Sequence, residues 1–410
     1  MTSNWLTRRM FAAVGKCVAA AAMVMVTFSS VSAADSGLSK EVGRSGIEAT
    51  RARLHAETSL TADQRFALAG LEILRAAEEA LQARWRINMS NELEFLPFLR
   101  LPVPENTNPD PFDPAIVASV FRQAASRAEA AEKVLKNLSE ASDFGLQIDP
   151  SDLWFDINAN ATRDRGEGFM EVMGLALPAD TGDAPSASSF PIRFDVADVY
   201  WLKAYANLIA GISQVVLAYD PTEATQTVMQ THEKLDALGS VRPQGMFDYV
   251  GVADMFAIVK NALDQQPDKA ALQQAHGHFL AMVKENRAFW RLVDLEKDNE
   301  AEWIPNARQT SALGLEFPPQ TGSVWQGVLA DAEGLLEGRL LAPYWQLGEG
   351  AGINVKQMFL DPRPIDLLDW IQGQDALPYA QKGPVITLAS WQAFEELVMG
   401  NALMYAIILN

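Results

Sequence analysis

The chain has 410 residues with 33 basic and 52 acidic groups, a net charge of −19 and a single cysteine. A molecule this acidic repels phosphate backbones, and no basic cluster offsets the field, so nucleic acid is set aside as a partner. The length is ample for one large domain or two ordinary ones.

The chain opens with Arg8 and Arg9, an apolar run from Cys17 to Val26, and small residues ending Val31-Ser32-Ala33. That order reads as a signal peptide cleaved after Ala33 or Ala34, and a periplasmic or secreted location is expected. The TRRMFA stretch, Thr7 to Ala12, resembles the twin-arginine export motif in part; Ala12 and Ala13 stand where that motif usually has a large aliphatic residue and Lys. Cys17 would leave with the leader, so stability in an oxidising compartment must come from a core or a metal. Loss of the leader's three basic groups leaves 30 against 52 acidic ones, a net −22. Residues 34–177 then form an N-terminal helical region and 192–410 a C-terminal one, expected to pack as one body.

Residues 35–58 are polar and weakly patterned and read as a loose entry segment. Thr61 and Gln64 form a capping box, and Phe66, Gly70, Ile73, Leu74, Ala77 and Leu81 follow along one helix face with Arg65, Glu72, Glu79 and Gln82 opposite. Prolines between Pro97 and Pro114 exclude a helix or central strand there. Asp113 and Pro114 read as the start of a second helix whose apolar face runs from Val117 to Leu138. The small-residue tract Pro178–Pro191 is the best candidate boundary.

Residues 195–219 are apolar on nearly every face, interrupted by Lys203, Asn207 and Gln214, and read as a central helix surrounded by others rather than a membrane span. Asp220 and Pro221 start a helix ending near Gly239. Further helical patterns occupy 252–266, 269–295, 323–337, 364–372 and Ser390 to about Tyr405. Leu340–Trp345 and Ile353–Phe359 flank a GEGAG turn and are expected to pair as a β-hairpin. The fold class is therefore mainly α: a compact multi-helix domain with one short hairpin near residues 340–359.

The most explicit chemistry lies in residues 156–167, DINANATRDRGE. Oxygen donors recur at positions 1, 3, 5, 7, 9 and 12: Asp156, Asn158, Asn160, Thr162, Asp164 and Glu167. A hard cation such as Ca²⁺ takes six to eight oxygens, which a short loop supplies at that spacing. The loop resembles the EF-hand and dockerin calcium motif over these twelve residues only. It departs at position 6, where Ala161 replaces the usual Gly and should cost on the order of 1–2 kcal/mol in a left-handed conformation. At position 8 it has Arg163 in place of an aliphatic residue. The resemblance implies one calcium ion of moderate to weak affinity, in a structural role.

No zinc helix, nucleophile elbow or phosphate loop is present, and His276 and His278, two apart on a helix, point in different directions. No catalytic residue is assigned. Trp201, Trp290, Trp325 and Trp391 fall in helical patterns and read as core, whereas Trp154, Trp303, Trp345 and Trp370 are free to line a groove. The segments LPVPENTNPDPF, WIPNARQT and FLDPRPIDLLDWIQG resemble parts of an uncharacterised family of exported bacterial helical proteins, which implies architecture but no mechanism. Two functions are expected from these features. One is a soluble binding or interaction protein of the cell envelope, with a protein, small-molecule or glycan ligand and no stable membrane insertion. The other is a carbohydrate-active hydrolase or lyase with a helical toroid.

Overall fold

The computed structural model describes residues 37–89, 101–142, 144–174, 191–239, 247–299, 301–312, 317–398, 405–406 and 409. The expected leader, the tract 178–190 and most of the final helix beyond 398 lie outside them.

The first helix, α1 (Gly37–Ala56), occupies what reads in sequence as a loose entry. Its buried residues Val42, Ile47, Thr50 and Leu54 miss a single helical period because Gly46 breaks the helix with φ 81° and ψ 172°. The break frees the Val42 carbonyl, which an unbroken helix would give to Gly46 N–H. The buried indole of Trp154 donates to it instead, at 3.2 Å. A side chain at Gly46 would stand 2.9 Å from that indole, so this position needs glycine both for its dihedral and for its space.

Helix α2 (Ala62–Arg86) starts at Thr61 with both capping-box bonds formed to Gln64. Helix α3 (Ile116–Leu135) follows the Pro-rich loop, with the Asp113 carboxylate accepting from Ala115 N–H at 2.9 Å. Strand β1 (Leu146–Ile148) and helix α4 (Phe169–Gly174) flank the candidate calcium loop. Strand β2 (Ile192–Phe194) pairs antiparallel with β1, Leu146 opposite Phe194, a pairing the sequence does not announce.

Helix α5 (Val196–Ala218) has Asp195 and Asp198 as its capping box. Its apolar surface is covered chiefly by α8 (Lys269–Val293) and α3, and the element is the central helix expected. Lys203 leaves the core by donating to the Leu138 carbonyl at 3.1 Å and lies 4.6 Å over the Tyr200 ring. Between α5 and α8 come α6 (Thr222–Asp236) and α7 (Phe247–Leu263), packed on each other. Beyond α8, α9 (Thr321–Leu336) packs on α12 (Ala389–Leu397), with Trp325 against Phe394. One continuous apolar core runs from Val42 to Leu409.

The expected hairpin is reduced to a single bridge between Ala342 and Ile353, with reciprocal bonds of 2.8 Å. Strand β3 (Ala351–Ile353) instead pairs with β4 (Ala380–Lys382). Residues beyond Ile353 turn into helix α10 (Val355–Leu360), because Asn354 caps it by accepting from Gln357 N–H. Helix α11 (Leu367–Gln372), capped by Asp366, follows.

A second correction concerns α2. Glu72, read as part of a solvent face, is 0% exposed. It is ion-paired to Arg51 of α1 at 3.0 Å and Arg127 of α3 at 3.2 Å, with His55 also bonded to it. Arg127 also grips Glu79, and Arg75 reaches Glu48 and Glu78, so a charged seam joins three helices. Glu72 is the fully buried member, and removing it takes from the largely shielded Arg51 and Arg127 the carboxylate that offsets their desolvation. Glu72→Ala is expected to lower the unfolding free energy by about 3 kcal/mol or more. Arg53→Ala, which breaks more exposed pairs with Glu41 and Glu57, should cost less than about 1 kcal/mol. Urea unfolding of both variants checks the contrast.

Candidate functional site

The loop 156–167 is closed at its base by a short antiparallel ladder. Phe155 N–H donates to the Glu167 carbonyl at 2.8 Å and Phe169 N–H to the Leu153 carbonyl at 2.9 Å, with Trp154 bridging Gly168. The rings of Phe155 and Phe169 stack at 5.9 Å beneath it, and Ile157 is fully buried. Helix α2 captures both main-chain groups of the first loop residue. Glu78 accepts from Asp156 N–H and Gln82 donates to the Asp156 carbonyl, each at 2.7 Å. Sequence reasoning missed these two contacts. Gln82 reads as part of the solvent face, and Glu78 carries no signal beyond its position one turn before Gln82.

Within the loop, Asp156 accepts from the N–H groups of Asn160 and Ala161, both at 2.9 Å. Asn158 and Asn160 accept from Asn160 N–H and Thr162 N–H in turn. The amide N–H ends of Asn158 and Asn160 both point to Asp164 Oδ2 at 2.8 Å. Glu167 folds back under the turn, its two carboxylate oxygens accepting from Ile157 N–H at 2.9 Å and Asp164 N–H at 2.8 Å. Burial of Glu167 pushes its carboxyl above the usual range, against the lowering effect of those amides. Glu78, buried beside Arg75, is pushed up to about 7 by the same cause.

All six expected residues therefore belong to one closed turn, and the side chains of Asp156, Asn158, Asn160, Asp164 and Glu167 are joined through its amides. Thr162 contributes its main chain to the same turn. The Arg163 guanidinium is carried outward to the Ser151 carbonyl at 3.2 Å. Among the described residues no set of three or more His, Cys, Asp or Glu side chains is drawn together as a metal-binding group. The loop's other oxygens come from two amides and a main chain. Such an all-oxygen set suits a hard cation and not zinc. Each carboxylate oxygen has two lone-pair sites, so one amide bond leaves it able to accept another partner.

The turn is strained at two places, since Ala159 and Ala161 have φ of 58° and 59°. Ala161 thus adopts the conformation for which glycine is the usual choice. Ala161→Gly is expected to raise stability by about 1 kcal/mol, as relief of the left-handed strain outweighs the added freedom of the unfolded chain. Paired chemical denaturation curves would show it.

The histidines hold structural positions. His276 meets the Leu336 carbonyl and His278 the Asn207 amide oxygen, while His232 faces Asp254 and His55 faces Glu72. Of the tryptophans expected to be free, Trp154 and Trp303 are buried. Trp303 is enclosed by the rings of Phe194 and Trp201. Trp345 is exposed, while Trp370 packs against Tyr344 and Tyr379. Arg363 lies 3.9 Å from Asp361.

A second group of acids gathers where β2 enters α5. Asp198 is buried and accepts from Asp195 N–H at 2.9 Å, with Glu296 and Glu302 adding like charge. Burial first, then Asp195, raises Asp198 well above its ordinary range. Glu296 is pushed up to about 8 by burial and by Asp195, against the Gln309 amide at 3.1 Å. Arg193 reaches Asp195 at 3.4 Å and Asp298 at 3.6 Å. A carboxyl raised in the folded state supports stability fully below its unfolded value near 4.5 and loses that support as pH climbs through about 8. Glu296→Gln keeps the Gln309 contact without the charge. It is expected to flatten the decline in unfolding free energy between pH 5 and pH 8 seen in urea titrations, roughly matching wild type at the acid end.

No family model, curated protein or solved structure matches the chain.

Proposed function

We propose that this is an exported helical binding protein of the cell envelope, its N-terminal region locked by one calcium ion held in residues 156–167. The observation carrying this reading is the gathering of Asp156, Asn158, Asn160, Asp164 and Glu167 into one turn through its main-chain and side-chain amides. In it the amide N–H ends of Asn158 and Asn160 supply to Asp164 the positive pole that a cation would otherwise supply. Asp156, Asn158, Asn160, Asp164 and Glu167 would hold the ion through side-chain oxygens and Thr162 through its carbonyl. The ion's contribution is charge neutralisation among three carboxylates. The anchorage of Asp156 on α2 supports a structural role, since fixing the loop ties the segment between β1 and α4 to that helix.

Outside the cytoplasm a loop of this kind is occupied even at a dissociation constant of roughly 10⁻⁴ M. Metal-stripped protein titrated with calcium is expected to gain about 1.4 kcal/mol of stability when the free ion reaches ten times its dissociation constant. Glu167→Gln should remove most of that gain, and isothermal calorimetry should report one site with weaker magnesium binding. A melting curve unchanged across millimolar calcium would sink the proposal.

A further inference from the structure

A cavity of about 100 Å³ lies between α1, α2, α5 and the strand pair β1–β2. None of the six loop oxygens lines it, so it is independent of the calcium reading. Its walls are apolar side chains such as Phe66, Leu146 and Leu202, and no Asp, Glu, Lys, Arg or His contributes to them. Two wall residues carry buried polar atoms with no hydrogen-bond partner: the Thr50 hydroxyl and the Trp303 indole Nε1. Thr50 is 0% and Trp303 2% exposed, so water does not satisfy them from outside. Buried donors left unpaired are uncommon because their desolvation is not repaid.

Gly70 supplies the third observation. It stands in the interior of α2 and lines the cavity, and a Cβ built there meets nothing within 4 Å. Alanine would be the better helix former at that position, yet the space is kept. The half-buried wall residues Leu38, Ala67, Gly70 and Leu74 mark the side nearest the surface.

We propose that this cavity binds a small neutral molecule, mainly apolar, carrying one oxygen acceptor that pairs with the Trp303 indole N–H and lies within the space bordered by Thr50. The absence of any ionisable acid or base in the wall selects against a charged ligand, since nothing there would offset its desolvation. An apolar cavity of about 150 Å³ takes benzene, so one of about 100 Å³ sets the scale of the occupant at about four or five heavy atoms.

Cyclobutanone and methylenecyclobutane, which differ by C=O against C=CH₂, are suitable probes. Binding would be followed by ligand-detected NMR and by the indole ¹⁵N–¹H resonance of Trp303 in the full chain. Both compounds are expected to bind wild type, the ketone roughly three- to tenfold more tightly, the range one net hydrogen bond provides. Only the ketone should move the Trp303 indole proton downfield. Trp303→Phe should equalise the two affinities. Gly70→Leu should abolish both without lowering the melting midpoint, which keeps the test open if the Trp303 variant does not fold. Failure of both compounds to bind wild type at millimolar concentration overturns the proposal. So does equal affinity in wild type, or binding that survives Gly70→Leu.

Discussion

A 23-residue helix without a polar face has to be covered on every side, and α5 imposes that requirement on the whole molecule. Helices α3 and α8 lie along it, and the residues flanking its start, Phe194 and Trp201, meet Phe66 of α2 and Trp303 from the segment after α8. The few polar groups on α5 are placed where a partner exists: Lys203 at the Leu138 carbonyl and Asn207 at His278. Covering this one element draws residues from both sides of the 175–190 tract into a common core.

The candidate calcium turn depends on the same packing at one remove. Its base is zipped by main-chain bonds, but its position is set by α2 through Glu78 and Gln82, and α2 is held to α1 and α3 by the seam around Glu72. The indole of Trp154, just before the turn, fills the carbonyl left open by the break in α1. Loop, broken helix and charged seam thus form one mechanical unit at the N-terminal side of α5.

What the sequence reveals here follows the range of the interaction. Thr61 and Gln64 bond within one turn of their own helix, so the pattern is readable and the helix starts where it is placed. The spacing of the loop donors is likewise local, and the residues do come together in one turn. The failures are contacts made at a distance. Glu72 reads as a surface acid until Arg51 and Arg127 arrive from two other helices. Trp154 and Trp303 read as free because their cover comes from residues remote in sequence. Strands β1 and β2 have three residues each and find one another across more than forty positions, too short for a period to be seen. Helix α1 was hidden for a different reason, since the turn at Gly46 shifts the phase of its apolar face midway.

The acids at the entry of α5 also change how the molecule exchanges protons with its solvent. Glu296, pushed up to about 8, keeps its proton at neutrality inside the fold, so the native protein carries less negative charge than a tally of its carboxylates gives, and burial shifts Asp198 in the same direction. Once exposed, Glu296 ionises near its ordinary value. Opening the structure near pH 7 therefore acidifies the medium, and the heat absorbed varies with the ionisation enthalpy of the buffer that takes up the released protons.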